Sequence, residues 1–538
     1  MKKRRLLSRV MSLPYLLSHC IGLLFIFPGI TFAHNPSHLG QISFPTTGQK
    51  AAQPYFEKGV MLLHSFQYEE ARNHFKKAET LDPHFALAYW GEAMTYNHPL
   101  WSEQDYQQGN NSLMHFASTP AARLQKAISK KEKGFIKAIN ILYGKGNKKF
   151  RDDAYADAMR ELYEMFPDDD EIASFYSLSL LGATESERDF RSFMQAAGVS
   201  EDIVTRNQSH PGALHYLLHS YDDPLHAPLG LRAARAYAKV APDSSHALHM
   251  PSHIYTALGL WDDVIQSNQA AWNASKLGNP NHLPKHYVIH DLHALHWLAY
   301  AHLQKKNFQK AFELTKIMET IALATRSPMA KWYYALMRAA YLTESGDYHA
   351  RLSAINLQGV ELSALAANLY ADFLIAENKQ DPQKMAALLN QLNRATPTHL
   401  SNKTYTDYFS SVTQGGLKAA RVTALEMNAR LAASHGQLKT AIQFAKQATA
   451  LEEQMSFGYG PPIPVEPSYE LLAAYLLRDK QYSAAYKQYI SALKRMPNRT
   501  HSNQGLKTAS TWLVKHHQPV PTGIKPYFNR LIKPEFFH

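Results

Sequence analysis

The sequence predicts an all-α fold, a superhelical solenoid of stacked antiparallel helix pairs. Three observations predict it. Apolar residues recur at spacings of three and four, and no competing run alternates apolar and polar residues as a half-buried strand would. Features return at one fixed interval: Phe56 is matched by Trp90, and His64 by His98. One short helical hairpin cannot bury its own apolar face, so recurring hairpins must stack on one another. The composition is that of a folded chain, with 45% hydrophobic and 19% charged residues and a mean hydropathy of −0.36. These values exclude a multi-span membrane protein and a disordered tail. A length of 538 residues would ordinarily suggest three or four domains, but the repeats override that expectation.

Residues 1–33 read as an export signal. Lys2, Lys3, Arg4, Arg5 and Arg9 form a basic start, an apolar stretch peaks over Ile21–Phe27, and Thr31-Phe32-Ala33 places small residues where a signal peptidase reads them. Cleavage is expected after Ala33. An uncleaved anchor would need about 20 apolar residues, and Pro14, Ser18, His19 and Pro28 interrupt the stretch. Cys20 is a poor lipidation site, since His19 precedes it and the apolar run continues past it. The Arg4-Arg5 pair alone is too little for a twin-arginine signal. Cleavage leaves 52 Lys+Arg against 45 Asp+Glu, a mild net +7, and removes the single cysteine. The expected location is the periplasm, or outside the cell, where a cysteine-free chain is at no disadvantage. Disulfides, thiolate metal sites and Cys nucleophiles are excluded, and without a basic block no nucleic-acid partner is expected. No membrane span remains after cleavage.

Residues 34–53 form an extended lead. Helical repeats follow over 54–200. In the first, Gly59, Ala71 and Ala78 permit close helix approach, Phe75 fills the gap, and Pro83 ends the second helix. A His-rich central group spans 201–325, in which Pro211–Val240 and Ser245–Ala274 are in phase. Further repeats over 326–457 include Leu425, Ala429, Gly436, Ala441, Ala445 and Ala448. The segment Gly458–Pro464 breaks the pattern before a C-terminal repeat and cap over 458–538. A second break is expected at Gly278-Asn279-Pro280.

These spacings resemble the tetratricopeptide repeat, a helix-turn-helix unit of about 34 residues. The phrases Asn97–Trp101, His210–His215, His249–Tyr255 and Gly460–Val465 are similar to those of a group of bacterial exported tetratricopeptide proteins. The resemblance implies that the first helix of each unit lines a concave groove that holds a peptide, protein or small ligand.

Thirteen of the 28 histidines fall between His210 and His302. His215 and His219 are four apart, as are His249 and His253, so each pair shares a helix face. The second pair lies one full repeat after the first. His246 and His293 are equivalent to each other across an insertion, and Tyr300 stands where His253 would be. Three readings follow. In the first, His64, His98, Trp101, His215, His219, His246, His249, His253, His293, His296 and Tyr300 line a ligand-binding groove. In the second, His215, His219, His249 and His253 converge on about one zinc or copper ion per chain. In the third, the imidazoles are packed and hydrogen-bonded between helices, a reading that suits His74, His226 and His302. Asp222-Asp223 reads as a turn more than as an imidazole partner. Pro251 puts the His249–His253 pair in doubt, because a proline can kink the helix between them. No catalytic motif is found, so a binding or scaffold protein is expected rather than an enzyme, with no cofactor required; a hydrolase is the remotest alternative.

Overall fold

A computed structural model describes residues 38–184, 188–275, 289–398, 409 and 413–521. The export signal with its cleavage site, the break at 278–280 and the chain end beyond 521 lie outside the described residues.

From the start of the described chain, residues 38–52 are extended and tied down by distant groups. Thr47 donates to Glu132 from its backbone and its hydroxyl, and the Gln41 amide donates to the Ser209 carbonyl. The first hairpin is α1 (Gln53–His64) and α2 (Tyr68–Leu81). There follow α3 (Ala86–Met94), α4 (Tyr106–Phe116), α5 (Pro120–Lys126), α6 (Lys130–Leu142), α7 (Lys148–Met165), α8 (Asp170–Gly182) and α9 (Phe190–Arg206). The His-rich part comprises α10 (Pro211–Ser220), α11 (Ala227–Val240), α12 (Ser245–His249), α13 (Pro251–Ala257), α14 (Trp261–Ala274) and α15 (Ile289–Gln304). The remainder is α16 (Phe308–Thr325), α17 (Pro328–Ser345), α18 (Leu362–Asn378), α19 (Pro382–Ala395), α20 (Gln414–Ser434), α21 (Leu438–Glu453), α22 (Ser468–Arg478), α23 (Tyr482–Arg495) and α24 (Thr500–Lys515). The strands among the described residues are two residues each, Asn97–His98 against Glu103–Gln104.

The chain is a solenoid because each helix packs on its hairpin partner and alternate helices pack on each other. α15 meets α16 and α17, α18 meets α19 and α20, and α22 meets α23 and α24. Six hairpins turn in the same way. Phe66, Gly259, Lys306, Gln380, Gly436 and Lys480 all adopt positive φ. The amide after each reaches back five positions, as from Gln67 to the Leu62 carbonyl (2.9 Å) and from Gln481 to Leu476 (2.8 Å). This is the left-handed helix stop that satisfies otherwise orphaned carbonyls.

Close approach follows from small residues at the helix crossings. The Phe75 ring on α2 lies between Gly59 and Gly91, where an added Cβ would come within 2.7 and 2.4 Å of it. The coil is also tight. α1 packs against α10, which lies far along the chain. The turn before α24 docks on the central hairpins: Trp261 donates to the Asn498 carbonyl, and Thr500 donates from its backbone amide to the Gln304 side chain. At that contact a Cβ on Gly259 would stand 2.2 Å from the Pro497 carbonyl oxygen. Arg499 is fully buried there, bound to Glu344, Glu470 and the Tyr300 hydroxyl. No helix among the described residues is long and apolar enough to cross a membrane.

Gly91→Ala should destabilise the fold by about 1–3 kcal/mol through overpacking against Phe75, read as a lowered midpoint in chemical denaturation. His296, buried on α15, has its pKa lowered by burial to about 3. It stays neutral in the folded chain while the unfolded chain protonates near pH 6.5, so its stabilisation is complete above that pH and is lost as pH falls toward 3. His296→Phe should reduce the acid sensitivity of stability below pH 6.5 by up to about 1.4 kcal/mol per pH unit, measured by thermal melting across that range.

Candidate metal centre

Six histidines meet between α10, α12, α13 and α15, in two sets of three. His215 and His219 on α10 join His246 on α12; His249 on α12 and His253 on α13 join His293 on α15. Within each set one ligand atom per residue lies within 4.8 Å of the other two. His215, His219, His246, His249 and His253 are all buried, His293 partly so.

Local sequence explains the placement. Pro211 starts α10, and the His210 Nδ1 caps it by accepting from the Ala213 amide (3.1 Å). Ser244 caps α12 in the same way. Pro251 removes one amide donor but not the helical path: Met250 has φ −53 and ψ −36, and its amide donates to the His246 carbonyl. His249 and His253 therefore stay one turn apart, with their Nε2 atoms at 3.0 Å.

The far side of each ring decides what that contact means. His249 donates from Nδ1 to Asn268 Oδ1 at 2.6 Å; the Asn268 amide nitrogen donates to the Val264 carbonyl, which fixes the orientation of the amide. His253 donates from Nδ1 to Asp222 Oδ2 at 2.5 Å. A neutral imidazole with its proton on Nδ1 keeps a lone pair on Nε2. His249 and His253 thus aim Nε2 at each other, an arrangement that a cation between them, a shared proton or a metal ion, relieves. The first set repeats the pattern. His215 donates from Nδ1 to the His64 carbonyl at 2.6 Å, and its Nε2 faces both His219 Nε2 and His246 Nε2 at 3.0 Å. One lone pair cannot accept two linear hydrogen bonds. Two nitrogens 3.0 Å apart subtend about 90° at an ion ~2.0–2.1 Å from each. Outer acceptors that hold Nδ1–H and leave Nε2 for the ion are the usual support of metal-bound histidines.

A neighbouring cluster gives the contrast. Glu171 lies between His64 and His210. The His210 Nδ1 is already an acceptor, so its Nε2 donates to Glu171 Oε1 (3.1 Å); His64 Nε2 contacts Glu171 Oε2 (2.9 Å), and its Nδ1 contacts the Tyr216 hydroxyl (2.8 Å). Every ring nitrogen has a partner, and no ion is called for. Burial works to raise the Glu171 pKa, but the two imidazoles outweigh it and bring it to about 2. Burial holds the His64 imidazole below its ordinary pKa despite Glu171. This cluster sets the His64 carbonyl that orients His215. In the first set, burial and then the neighbouring His215 and His253 keep His219 well below its ordinary pKa, and its Nδ1 has no hydrogen-bond partner among the described residues.

Aromatic rings wall the sets. Phe66 lies 4.3 Å from His215, centroid to centroid, and Trp297 lies 4.4 Å from His253. The segment after α21 covers the rim: the Tyr459 ring is 6.3 Å from His219 and 6.1 Å from His253, and a Cβ on Gly460 would run into Trp297.

Several expected site residues lie elsewhere. The four histidines of the sequence-level metal reading do not make one site; they split into two pairs, each completed by a histidine of the next unit. His98 leaves the face of His64 because α3 ends at Met94 and His98 enters the short strand pair, stacked on Tyr68. Trp101 touches Phe66, one ring removed from His215. His296 packs on Tyr333, and Tyr300 belongs to the Arg499 network. Nor do the histidines line an open groove. The coil is tight enough for α1 to reach α10, and the rings are buried, His293 partly so. Asp223 makes the expected turn, accepting from the Leu225 and His226 amides, while Asp222 is the imidazole partner. Asn268, the His64 carbonyl, Phe66 and Tyr459 went unseen. The offset of 31 from His215 to His246, the same as from Asp222 to His253, is the signal that could have placed the third histidine with the pair.

No protein-family model and no curated protein matches the chain. Among solved structures it is similar to a monomeric mutant of IFIT1 with Gppp-AAAA (11% identity, 79% of this chain and 90% of that one, TM-score 0.37). It is also similar to yeast Tom70 (11%, 87% and 96%, 0.30) and to the Cut9–Hcn1 hetero-tetramer of APC/C (12%, 87% and 78%, 0.34). The chain is an all-α solenoid of stacked helix pairs with a buried cluster of histidines.

Proposed function

We propose that this chain is an exported helical-repeat protein that binds zinc or copper through His215, His219 and His246 and through His249, His253 and His293. The observation that carries the reading is the His249–His253 contact. Both rings commit Nδ1–H to fixed acceptors, so their Nε2 atoms face each other at 3.0 Å, a pairing that a metal ion relieves as a shared proton would. Imidazole nitrogen suits both metals, and copper binds such donors more tightly than zinc. The solenoid serves as a rigid frame. It sets four helices around the ions and supplies the outer acceptors from α1, α14 and the turn after α10.

The test is metal analysis of the purified chain after chelation and reloading with zinc or copper. The reloaded chain should retain metal through buffer exchange. The His215→Ala/His249→Ala double variant should lose it with its helical circular dichroism intact. Asp222→Asn should weaken binding by about 10–100-fold. At 100 times the dissociation constant, metal should stabilise the fold by about 2.7 kcal/mol. Failure of the wild-type chain to retain either metal would remove the proposal.

A further inference from the structure

The same geometry constrains how many ions are held and of what charge. The site is built twice by one rule. Two histidines a turn apart on one unit, His215 with His219 and His249 with His253, are joined by the first-helix histidine of the next unit, His246 and His293. The two products are contiguous. Within the sets, ring centroids are 4.8 Å apart for His215–His219 and 5.0 Å for His249–His253; between the sets, His219–His253 is 5.5 Å and His246–His249 is 6.1 Å. Rings of different sets are nearly as close as rings of the same set, so ions in the two sets would be near neighbours.

The charge available to neutralise them is small. Among the described residues each set consists of imidazoles alone. Asp222 is held by His253. Asp223 is shared between Arg188 and His226, and the Arg188 guanidinium, stacked over Tyr459 at 5.2 Å, adds a positive charge beside the rim. Glu171 is committed to His64 and His210. Two dications would repel each other about fourfold more strongly than two monocations at the same separation, in a buried setting where Asp222, Asp223 and Glu171 are already engaged. Three neutral nitrogens, by contrast, satisfy a monovalent copper ion.

We infer that the two histidine sets together hold a pair of copper(I) ions as one coupled centre, closed at the rim by Tyr459. This rests on the metal reading proposed above. His219 and His253 are the adjoining ligands through which the two positions influence one another, and Tyr459 touches both.

The experiment is an anaerobic titration of the metal-free purified chain with copper(I) against a bicinchoninate competitor, with a parallel zinc titration against a chromophoric chelator. Two copper(I) ions per chain should bind with affinities within about tenfold of each other, while the second zinc ion should bind at least about a hundredfold more weakly than the first. His219→Ala and, separately, His293→Ala should each reduce the copper stoichiometry from two to one; either variant that keeps its helical circular dichroism serves. One copper(I) ion on the wild-type chain would overturn the pair. Two zinc ions of equal affinity would overturn the preference for monovalent charge. Binding of neither metal would overturn the underlying metal reading instead.

Discussion

The centre depends on which ring nitrogen carries the proton. The His64 carbonyl, Asn268 and Asp222 are acceptors fixed in place by their own partners or by the backbone, and each claims an Nδ1–H. Once three imidazoles are locked in that tautomer, their Nε2 lone pairs have no choice of direction. Those of His249 and His253 face each other, and that of His215 faces His219 and His246, in buried surroundings walled by Phe66, Trp297 and Tyr237. A low-polarity wall makes facing lone pairs costly and a cation correspondingly favourable. The Glu171 cluster, with the same imidazole donors and the opposite proton placement at His210, makes ordinary hydrogen bonds. Residue identity alone does not separate the two cases; tautomer does.

The solenoid explains why such a centre occurs twice. A helical repeat carries any local arrangement forward with the chain, so a pair of histidines on one first helix reappears on the next. The third histidine of each set comes from the following unit, which makes the cluster a property of the stacking between units. Binding an ion would therefore fasten α10 to α12, and α12 and α13 to α15, at a place where the apolar core is interrupted by polar rings.

The frame shows where backbone strain is accepted for the site. Six turns use a left-handed residue. Glycine takes that conformation without cost, and at Lys306, Gln380 and Lys480 the side chain lies on an otherwise ordinary turn. At Phe66 the same conformation carries a fully buried ring directly against His215, His219 and His246. A bulky residue held at φ +54 is the sort of local cost that persists where the surroundings demand a particular side chain. The tight coil has a similar consequence: Arg499 is buried whole, and the turn before α24 docks on the central hairpins with two carboxylates and a phenol around one guanidinium.

The helix pairs and the Gly59–Phe75 approach were legible in the sequence because they rest on contacts within a unit or between adjacent units. The recurrence of His215 and His219 as His249 and His253 was legible for the same reason, since the repeat period fixes their equivalence. Tertiary structure alone decided that the recurring histidines split into two sets, that His246 and His293 complete them, and that Asp222 supports His253 while its neighbour makes the turn. It also decided that His98 turns away and that the rings are enclosed. The physical reason is the pitch of the coil. Periodicity specifies which face a residue occupies, but how far each unit rotates on the next, and so whether inner faces leave a groove or close on one another, is set by side-chain packing summed over many crossings.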